Sequence, residues 1–279
     1  MHVGALIFAT DYTIRMDELA VAMEERGFES LFLPEHTHIP ASRISPWPGG
    51  GDLPSDYWHT HDPFVALAYA GAVTKKLKLG TGICLLAQRE AIVTAKNVAS
   101  LDMMSNGRFL FGVGGGWNVE EMNDHGVEYK TRFAQIKEQV LAMKALWTEE
   151  DAAYHGEFVS FDASWAHPKP VQTPHPPVIM GGETDYTLRR VVDYCDGWLP
   201  RARHGFDAAE NMARLKKIAD EAGRDVSEIS VNVFGAPGDA DELAKYTEAG
   251  VTRALLTLPS APRDEVLRLL DDYAPLVGK

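Results

Sequence analysis

The sequence predicts an α/β protein that folds as a (β/α)8 barrel of the TIM type. Eight short apolar segments recur at regular intervals along the 279 residues, and each is followed by a segment with helical spacing of apolar residues. The apolar segments lack polar alternation, which is typical of parallel strands buried on both faces. Because no shift in composition marks a boundary, we expect one domain over residues 1–279, with an open doubly wound sheet as the alternative.

The eight strands are predicted from short runs rich in β-branched, aromatic and leucine residues. A short hairpin within Ala153–Asp162, followed by loops as far as Pro177, forms an insertion before the fifth barrel strand. The predicted barrel strands are Val3–Ala9, Ser30–Pro34, Leu77–Ile83, Phe109–Val113, Pro177–Met180, Gly197–Leu199, Ile229–Phe234 and Arg253–Leu258.

The helices are predicted from apolar spacing and from residues that start or stop a helix. Asp62 and Pro63 are typical of an N-cap and a first helical residue, and Asn106-Gly107 is typical of a helix end. Gly27 and Gly223 are placed to end two further helices. The predicted helices include Met16–Met23, Asp62 to about Lys75, Ala91–Met104, a segment that starts near Trp117, Phe133–Trp147, a segment that ends at about Cys195, Met212–Ala222, Asp239–Ala249 and Pro262–Leu276.

Composition narrows the class of protein. With 40 acidic and 27 basic residues the net charge is −13, which argues against nucleic acid or an anionic membrane as the main partner. The two cysteines, Cys84 and Cys195, lie far apart, so neither a structural zinc site nor a disulfide framework is expected. Residues 1–8 do not resemble a leader, and no apolar run approaches the ~18 residues that span a bilayer. We expect a soluble, cytoplasmic protein.

The most distinctive stretch is Phe109–Asn118, an apolar strand that runs through four glycines into a helical pattern. Gly112 and Gly114–Gly116 let the backbone approach a ligand closely, and the free N–H groups at the start of the following helix suit an anion. A tight turn without a ligand is the alternative interpretation of this stretch alone.

In a (β/α)8 barrel the active site lies at the carboxyl ends of the strands, and that rule selects a small set of candidate residues. The aromatic-rich loop Ile39–Asp62 is expected to fold over them, because long loops in compact domains are usually functional or disordered. The candidates, in strand order, are Thr10 and Asp11; Glu35, His36 and His38; Gly82, Ile83 and Gln88, with Arg89 and Glu90 just beyond; Gly114, Gly115, Gly116, Trp117 and Asn118; Gly181, Gly182, Glu183 and Thr184; Arg201 and Arg203; and Asn232 or Phe234, while strand eight offers almost nothing.

Two kinds of site are compatible with these residues. His36 and His38 could bind zinc in a metal hydrolase, but strands five and eight end in Gly-Gly and Pro-Ser rather than in metal ligands, so no metal is expected. A flat, phosphorylated cofactor fits better. Gly181–Thr184 supplies backbone amides, a hydroxyl and a helix N-terminus for a phosphate, provided that the carboxylate of Glu183 points away from it. Arg201 and Arg203 supply positive charge.

Four segments, in order along nearly the whole chain, resemble the bacterial luciferase-like flavin and deazaflavin oxidoreductases. Residues Glu35–Pro40 and the loop Pro46–Leu53 further resemble the branch that uses coenzyme F420. The resemblance implies a TIM barrel, usually a homodimer, that binds its cofactor at the carboxyl ends of the strands. The four segments are Gly27–His36, Leu79–Ile83 followed by Gln88-Arg89, Phe111–Asn118 and Met180–Gly182.

The resemblance also implies roles for single residues. A non-proline cis peptide bond between Gly82 and Ile83 would form a bulge behind the cofactor ring. His36 matches the family's strand-two histidine, which implies either an acid/base role beside the reacting centre or only a hydrogen bond that positions the ring. Trp117 stands where sugar-phosphate dehydrogenase relatives carry a carboxylate, which favours an apolar or aromatic substrate; packing at the helix start is the alternative.

We therefore expect an F420-dependent oxidoreductase that transfers hydride between the deazaflavin and a small organic substrate entering under the Ile39–Asp62 loop. The alternative is an FMN-dependent monooxygenase that uses reduced flavin and O2, because both cofactors present a tricyclic ring and a ribityl phosphate. The acidic tail of F420 favours extra cations, for which Arg201 and Arg203 are the candidates. A non-catalytic cofactor-binding protein would keep the glycine turns without needing His36. The expected cofactor contacts are Glu35, His36, Gly82, Ile83, Gln88, Gly114–Asn118, Gly181–Thr184 and Arg201.

Overall fold

The computed structural model describes residues 1–202 and 206–278. Its barrel strands are β1 (His2–Leu6), β2 (Ser30–Leu33), β3 (Lys78–Thr81), β4 (Phe109–Val113), β7 (Val178–Gly181), β8 (Gly197–Leu199), β9 (Ser230–Ala236) and β10 (Arg253–Thr257). They pair in parallel and close in the order β1-β10-β9-β8-β7-β4-β3-β2, so the predicted (β/α)8 barrel is confirmed. β5 (Ala152–His155) and β6 (Ser160–Ser164) form the predicted antiparallel hairpin before the fifth barrel strand.

Helices surround the barrel and cover the outer face of its strands. They are α1 (Met16–Glu25), α2 (Asp56–His59), α3 (Pro63–Val73), α4 (Ala91–Met104), α5 (Val119–Asp124), α6 (Arg132–Thr148), α7 (Asp185–Tyr194), α8 (Ala208–Ala222), α9 (Ala240–Glu248) and α10 (Arg263–Tyr273).

Local signals in the sequence set several helix ends. The Asp62 side chain accepts a hydrogen bond from Val65 N at 3.0 Å and caps α3, as predicted. Asn106 and Gly107 both adopt positive φ angles, 59° and 75°, directly after α4. Gly223 ends α8 in the left-handed conformation, with φ of 71°. These residues stop a helix because the next backbone step leaves the right-handed region.

Some boundaries differ from the prediction. β3 ends at Thr81, before the cis peptide bond between Gly82 and Ile83, rather than at Ile83. β9 continues past Phe234 to Ala236, and its register with β10 shifts at this point. The short helix α2 was not predicted, because four residues cannot display a helical period.

Apolar side chains fill the barrel in an inner and an outer layer. The outer layer lies between strands and helices and includes Leu67, Phe111 and Trp147. The inner layer is topped by Ile83 and Phe234, which remain partly exposed and therefore form the floor of the barrel mouth. Burial of each such side chain stabilises the fold by roughly 1.5–3 kcal/mol. The inner layer consists of Leu6, Phe32, Leu110, Ile179, Leu199 and Leu255.

An ion pair joins the start of β10 to the segment before β2. Arg253 donates to both carboxylate oxygens of Glu29, at 2.6 and 2.7 Å, and its remaining nitrogen bonds to Asn232. Burial alone would raise the pKa of the Glu29 carboxyl, but the hydrogen bonds and the charge of Arg253 outweigh it and lower that pKa to about 2. Glu29 therefore stays ionised in the folded protein throughout the neutral range.

Candidate active site

Most of the predicted site residues lie on one continuous arc of the barrel mouth. The arc is formed by the carboxyl ends of β2, β3, β4, β7 and β8, which are consecutive neighbours in the closed barrel. Arg203, the second predicted cation, lies outside the described residues. The arc explains why segments spread from Glu35 to Arg201 contribute to one place.

A cis peptide bond shapes the centre of this arc. The bond between Gly82 and Ile83 is cis, as the resemblance implied. The side chain of Ile83 reaches across to the neighbouring strand ends, where a Cβ at Gly114 would lie 2.0 Å from Ile83 Cδ1 and a Cβ at Gly181 would lie 3.0 Å from its Cγ2. A side chain at Gly114 would therefore force Ile83 to move from its present position. Together Ile83 and Phe234 form a flat apolar surface, which we call the shelf.

His36 follows β2, the strand that pairs with β3, and a buried carboxylate holds its ring. Its Nδ1 lies 2.8 Å from Glu121 Oε2, and the other oxygen of Glu121 accepts from Thr37 N at 3.1 Å. Glu121 is fully buried and His36 is 8% exposed. Because a carboxylate is an acceptor, Nδ1 carries the proton in the neutral imidazole, which leaves Nε2 as the basic nitrogen. Within the described residues Nε2 has no hydrogen-bond partner.

Aromatic side chains surround His36 and include two from the long loop. Tyr57 packs against Phe8 and His36, with ring centres 4.7 and 5.1 Å apart, and Trp117 lies 5.9 Å from His36. Trp47 contacts Tyr57 at 6.0 Å. We call Phe8, His36, Trp47, Tyr57 and Trp117 the aromatic cluster. The prediction that the loop folds over the strand ends is therefore confirmed.

Polar contacts fasten this loop to α5 and to the neighbouring strand ends. Ser45 N donates to Glu120 at 3.1 Å, while Ser45 Oγ accepts from Val119 N at 3.1 Å. The hydroxyl of Thr60 donates to the carbonyl of His36 at 2.9 Å. The loop is thus joined to the same segments that carry His36 and Glu121.

Glu35 and Gln88, both predicted as cofactor contacts, differ in whether their polar atoms already have partners. Both oxygens of Glu35 are engaged: one accepts from Leu85 N at 2.7 Å and the other from Arg89 Nε at 2.7 Å. Glu35 thereby fixes the backbone that follows the cis bond. Gln88 is 9% exposed, yet neither its amide oxygen nor its amide nitrogen has a partner within the described residues. Buried amides are rarely left in this state, so Gln88 is available to a ligand.

The residues predicted to bind a phosphate, Gly181–Thr184, lie at the N-terminus of α7, and we call them the seat. Thr184 caps this helix by accepting from Thr187 N at 3.2 Å, and the carbonyl of Gly182 accepts from the Trp198 indole at 2.6 Å. Glu183 turns its carboxylate onto Arg201, which donates from Nε and a terminal nitrogen at 2.5 and 2.8 Å. This pairing raises the pKa of the Arg201 guanidinium and removes the carboxylate from the seat.

Two other arginines stand next to the seat without a carboxylate partner among the described residues. Arg132 lies 3.5 Å from the Tyr129 ring centre and 4.5 Å from that of Phe133, and Arg190 lies 3.8 Å from Phe133 on α6. A Cβ at Gly115 would lie 3.1 Å from Arg132 Nε, which is buried and unpartnered. Burial lowers the pKa of both guanidinium groups. We call Arg132 and Arg190 the arginine pair; together they form a site that favours an anion.

The described residues contain neither a metal centre nor a membrane-spanning helix. Within residues 1–202 and 206–278 no group of three or more histidine, cysteine, aspartate or glutamate side chains is arranged to hold a metal ion. Over the same ranges no helix is long and apolar enough to cross a membrane. A surface groove of about 500 Å³ lies between α7 and α8, far from the strand ends, and Arg189, Asp193 and Glu221 line it.

The sequence matches the model of a known protein family over most of its length. The family model described as luciferase-like monooxygenase matches residues 9–256. The chain belongs to this family. Members of the family are oxidoreductases, so the carboxyl ends of the strands are the place where a redox active site is expected.

Individual relatives differ in what is known of them. The protein Rv0953c of Mycobacterium tuberculosis, which has no described function, is 40% identical over 280 residues, covering 98% of both chains. An FMNH2-dependent dimethylsulfone monooxygenase of Pseudomonas putida is 30% identical over 185 residues, covering 64% of this chain and 50% of that protein. Among solved structures, an F420-dependent secondary alcohol dehydrogenase superposes with a TM-score of 0.77 over 99% of this chain and 98% of its own, at 18% identity. That likeness establishes the fold.

Sequence reasoning did not single out Glu121 or the arginine pair. Glu121 stands in the helical pattern after the glycines and meets His36 only in three dimensions, 85 positions away in sequence. Arg132 and Arg190 stand on helices where charged residues are common and usually solvated. The one available signal was the position of Arg190 six residues after Thr184, on the helix already selected as a phosphate seat.

Proposed function

We propose that the protein is an F420-dependent oxidoreductase that transfers hydride between the deazaflavin and a small organic substrate at the barrel mouth. The observation that carries this proposal is the placement of His36, held through Nδ1 by Glu121, at the end of the strand next to the one that leads into the cis bond of Gly82 and Ile83. Hydride transfer to or from an alcohol or carbonyl also moves a proton, and a neutral imidazole nitrogen is suited to carry it.

The residues at the mouth fit a flat tricyclic ring. The shelf of Ile83 and Phe234 offers an apolar face. Gly114 and Gly181 have no side chains, so the space next to Ile83 stays open. Gln88, whose amide has no partner among the described residues, would hydrogen-bond the polar edge of the ring. The bound cofactor would supply the hydride chemistry, while the chain orients both reactants and excludes water.

The anionic part of the cofactor fits the neighbouring arc. The backbone at Gly181–Thr184 and the N-terminus of α7 suit the phosphate, as predicted from the sequence. The arginine pair would receive negative charge near Gly115, which offsets the partial desolvation of two half-buried cations that have no carboxylate partner among the described residues. Arg201 stays a proposed contact for the acidic tail, reached when a ligand carboxylate replaces Glu183.

Titration of the purified protein with F420 and with FMN, followed by quenching of tryptophan fluorescence, tests the assignment. We expect F420 to bind at least about tenfold more tightly than FMN. Arg190→Ala should weaken F420 binding about tenfold, whereas Arg189→Ala, one residue away and exposed on α7, should leave it within about twofold. Tight FMN binding without F420 binding would overturn the cofactor assignment and leave the family unchanged.

The second candidate is an FMN-dependent monooxygenase. The specific observation that favours it is the FMNH2-dependent relative, which matches 64% of this chain. A monooxygenase consumes O2 with the reduced cofactor, so oxygen uptake by the FMNH2-loaded protein on addition of substrate would separate it from a dehydrogenase. His36→Ala should retain full turnover only if the histidine plays no acid/base part in either reaction.

We also propose that the protein acts in the cytoplasm as a homodimer formed through α3 and α4. Val65 and Val73 on α3 and Val93 and Met104 on α4 are exposed on adjacent helices, and Met104 is 76% exposed. Burying such apolar faces of neighbouring helices against a second copy of the chain is more favourable than leaving them in water.

Light scattering should give twice the mass of one chain. Val65→Glu combined with Val93→Glu should yield monomers, whereas Trp165→Glu, on an exposed residue elsewhere, should not.

A further inference from the structure

The aromatic cluster presents a wall of rings at the entrance to the barrel mouth. Phe8, Trp47, Tyr57 and Trp117 are each partly exposed, although they pack against one another or against His36. Tyr57 and Trp117 approach each other edge to face, with ring centres 6.3 Å apart. Their remaining exposed surface is apolar and flat, and covering it with a ring is favourable both for burial and for ring–ring contact.

Most charged groups around this wall are already engaged. The exception is Arg43, whose guanidinium lies 5.9 Å from the Trp117 ring centre, but Arg43 is exposed and therefore stays hydrated. Glu121 accepts from His36 and Thr37, and Arg201 is bound through two nitrogens to Glu183. Asp56, next to Tyr57 on α2, accepts from the hydroxyl groups of Tyr12 and Ser260, at 3.0 Å each. Arg132 lies next to Gly115, and both members of the arginine pair pack on Phe133, which is not a ring of the cluster. A charged substrate would therefore lose its hydration at the wall. An anion would gain only the exposed, hydrated guanidinium of Arg43, because Arg201 is held by Glu183 or is used by the proposed cofactor tail.

The hydrogen-bonding groups that remain on the rings of the cluster itself are neutral. Within the described part of the chain, the Tyr57 hydroxyl, the indole N–H groups of Trp47 and Trp117, and His36 Nε2 have no hydrogen-bond partner. Three of these are donors, while His36 Nε2 is an acceptor when Nδ1 carries the proton. Such a set recognises an oxygen atom that can accept, donate or do both.

We infer that the aromatic cluster is the substrate-binding wall and that its ligand is a neutral, ring-containing molecule with a hydroxyl or carbonyl oxygen. Trp47 and Tyr57, which belong to the loop, select the ring, and His36 with the Tyr57 hydroxyl contacts the oxygen. This inference rests on the proposed function only in taking the ligand to be the redox substrate. The binding of the ring itself follows from the cluster.

Binding of acetophenone to the cofactor-free and the F420-loaded protein, measured by calorimetry, tests the inference. Acetophenone should bind, and 4-acetylbenzoate, which differs by one carboxylate, should bind at least about tenfold more weakly. Tyr57→Leu should weaken acetophenone about tenfold, whereas Trp58→Leu should change it less than about twofold. Trp58 is a matched control because it shares α2 with Tyr57 but has its ring outside the cluster, against His59.

Three outcomes would overturn the inference: no binding of acetophenone, equal binding of 4-acetylbenzoate, or equal effects of Tyr57→Leu and Trp58→Leu. If Tyr57→Leu fails to fold, Trp47→Leu compared with Trp165→Leu provides the same contrast. F420 titration of the same variants keeps the two proposals apart, since Tyr57→Leu should leave F420 affinity within about twofold. Acetophenone binding with this pattern but no F420 binding would refute only the proposed cofactor. F420 binding without acetophenone binding would refute only the substrate inference.

Discussion

Replacing Glu121 by glutamine should switch the proton on His36 from one ring nitrogen to the other. In the native protein Glu121 Oε2 lies 2.8 Å from His36 Nδ1 and Oε1 accepts from Thr37 N at 3.1 Å. A glutamine keeps both contacts only if its oxygen faces Thr37 and its NH2 group faces His36. Nδ1 must then accept a hydrogen bond, so the proton of the neutral imidazole moves to Nε2.

The size of the effect follows from the role of Nε2. Once protonated, Nε2 of the neutral ring cannot take a proton from the substrate, and acid/base catalysis of this kind contributes about 10²–10⁴-fold. We expect Glu121→Gln to lower kcat about 10²-fold or more, which corresponds to roughly 2.7 kcal/mol or more. The cost in stability should stay near 1 kcal/mol, because the glutamine satisfies both Thr37 and His36.

Two measurements check this prediction. Long-range ¹H–¹⁵N spectra should show His36 protonated on Nδ1 in the native protein and on Nε2 in Glu121→Gln. The kcat for oxidation of 1-phenylethanol should fall while KM changes little, because Glu121 does not touch the substrate. Glu128→Gln is the control, since it makes the same change in charge at an exposed position seven residues later. A switched tautomer with unchanged kcat would refute the acid/base role of His36.

Three further predictions concern the shelf, the histidine and the barrel. Gly114→Ala places a Cβ 2.0 Å from Ile83 Cδ1 and should weaken F420 binding at least about tenfold, whereas adding Ile83→Val, which removes that methyl group and keeps the rest of the shelf, should recover much of the loss; failure of this rescue would contradict the packing argument. His36→Ala should lower kcat about 10²-fold with F420 affinity nearly unchanged, and full turnover would leave His36 a positioning residue. Because the pKa of Glu29 falls from 4.5 to about 2, its ionised form contributes roughly 3 kcal/mol above pH 4.5, which is lost as pH falls towards 2. In urea unfolding, the deficit of Glu29→Gln should therefore shrink between pH 5 and pH 2, and a constant deficit would contradict the assignment.

The barrel was predictable because its signals are local and repeated. Each strand is a short apolar run, and each helix shows its period and its stop residue, as at Asn106-Gly107 and Gly223. β4, β8 and α4 have the predicted bounds. Strand ends were less predictable, since β3 stops where Gly82–Ile83 turns cis, which no hydrophobic pattern reveals.

The candidate site was predictable at positions where the residue type itself indicates a function. His36 and the glycines at strand ends were selected because few other roles explain them at those positions, and their part in cofactor binding stays a prediction. The partners of such residues were not predictable, because a contact between distant segments leaves no local trace. Glu121 is an ordinary glutamate in a helix until β2 and β4 bring it against His36. Arg201 was predicted as a cation available to a ligand, but in the structure it donates hydrogen bonds to Glu183.

A crystal structure of the protein with F420 bound tests the central claim most directly. The deazaflavin ring should lie on the shelf, with ring atoms within about 4 Å of Ile83 and His36 Nε2 facing the reactive side of the ring. The phosphate should sit at the N-terminus of α7, within hydrogen-bond reach of the backbone of Gly181–Thr184. A ring bound away from Ile83 and His36, or density for FMN but none for F420 after soaking with both, would contradict it.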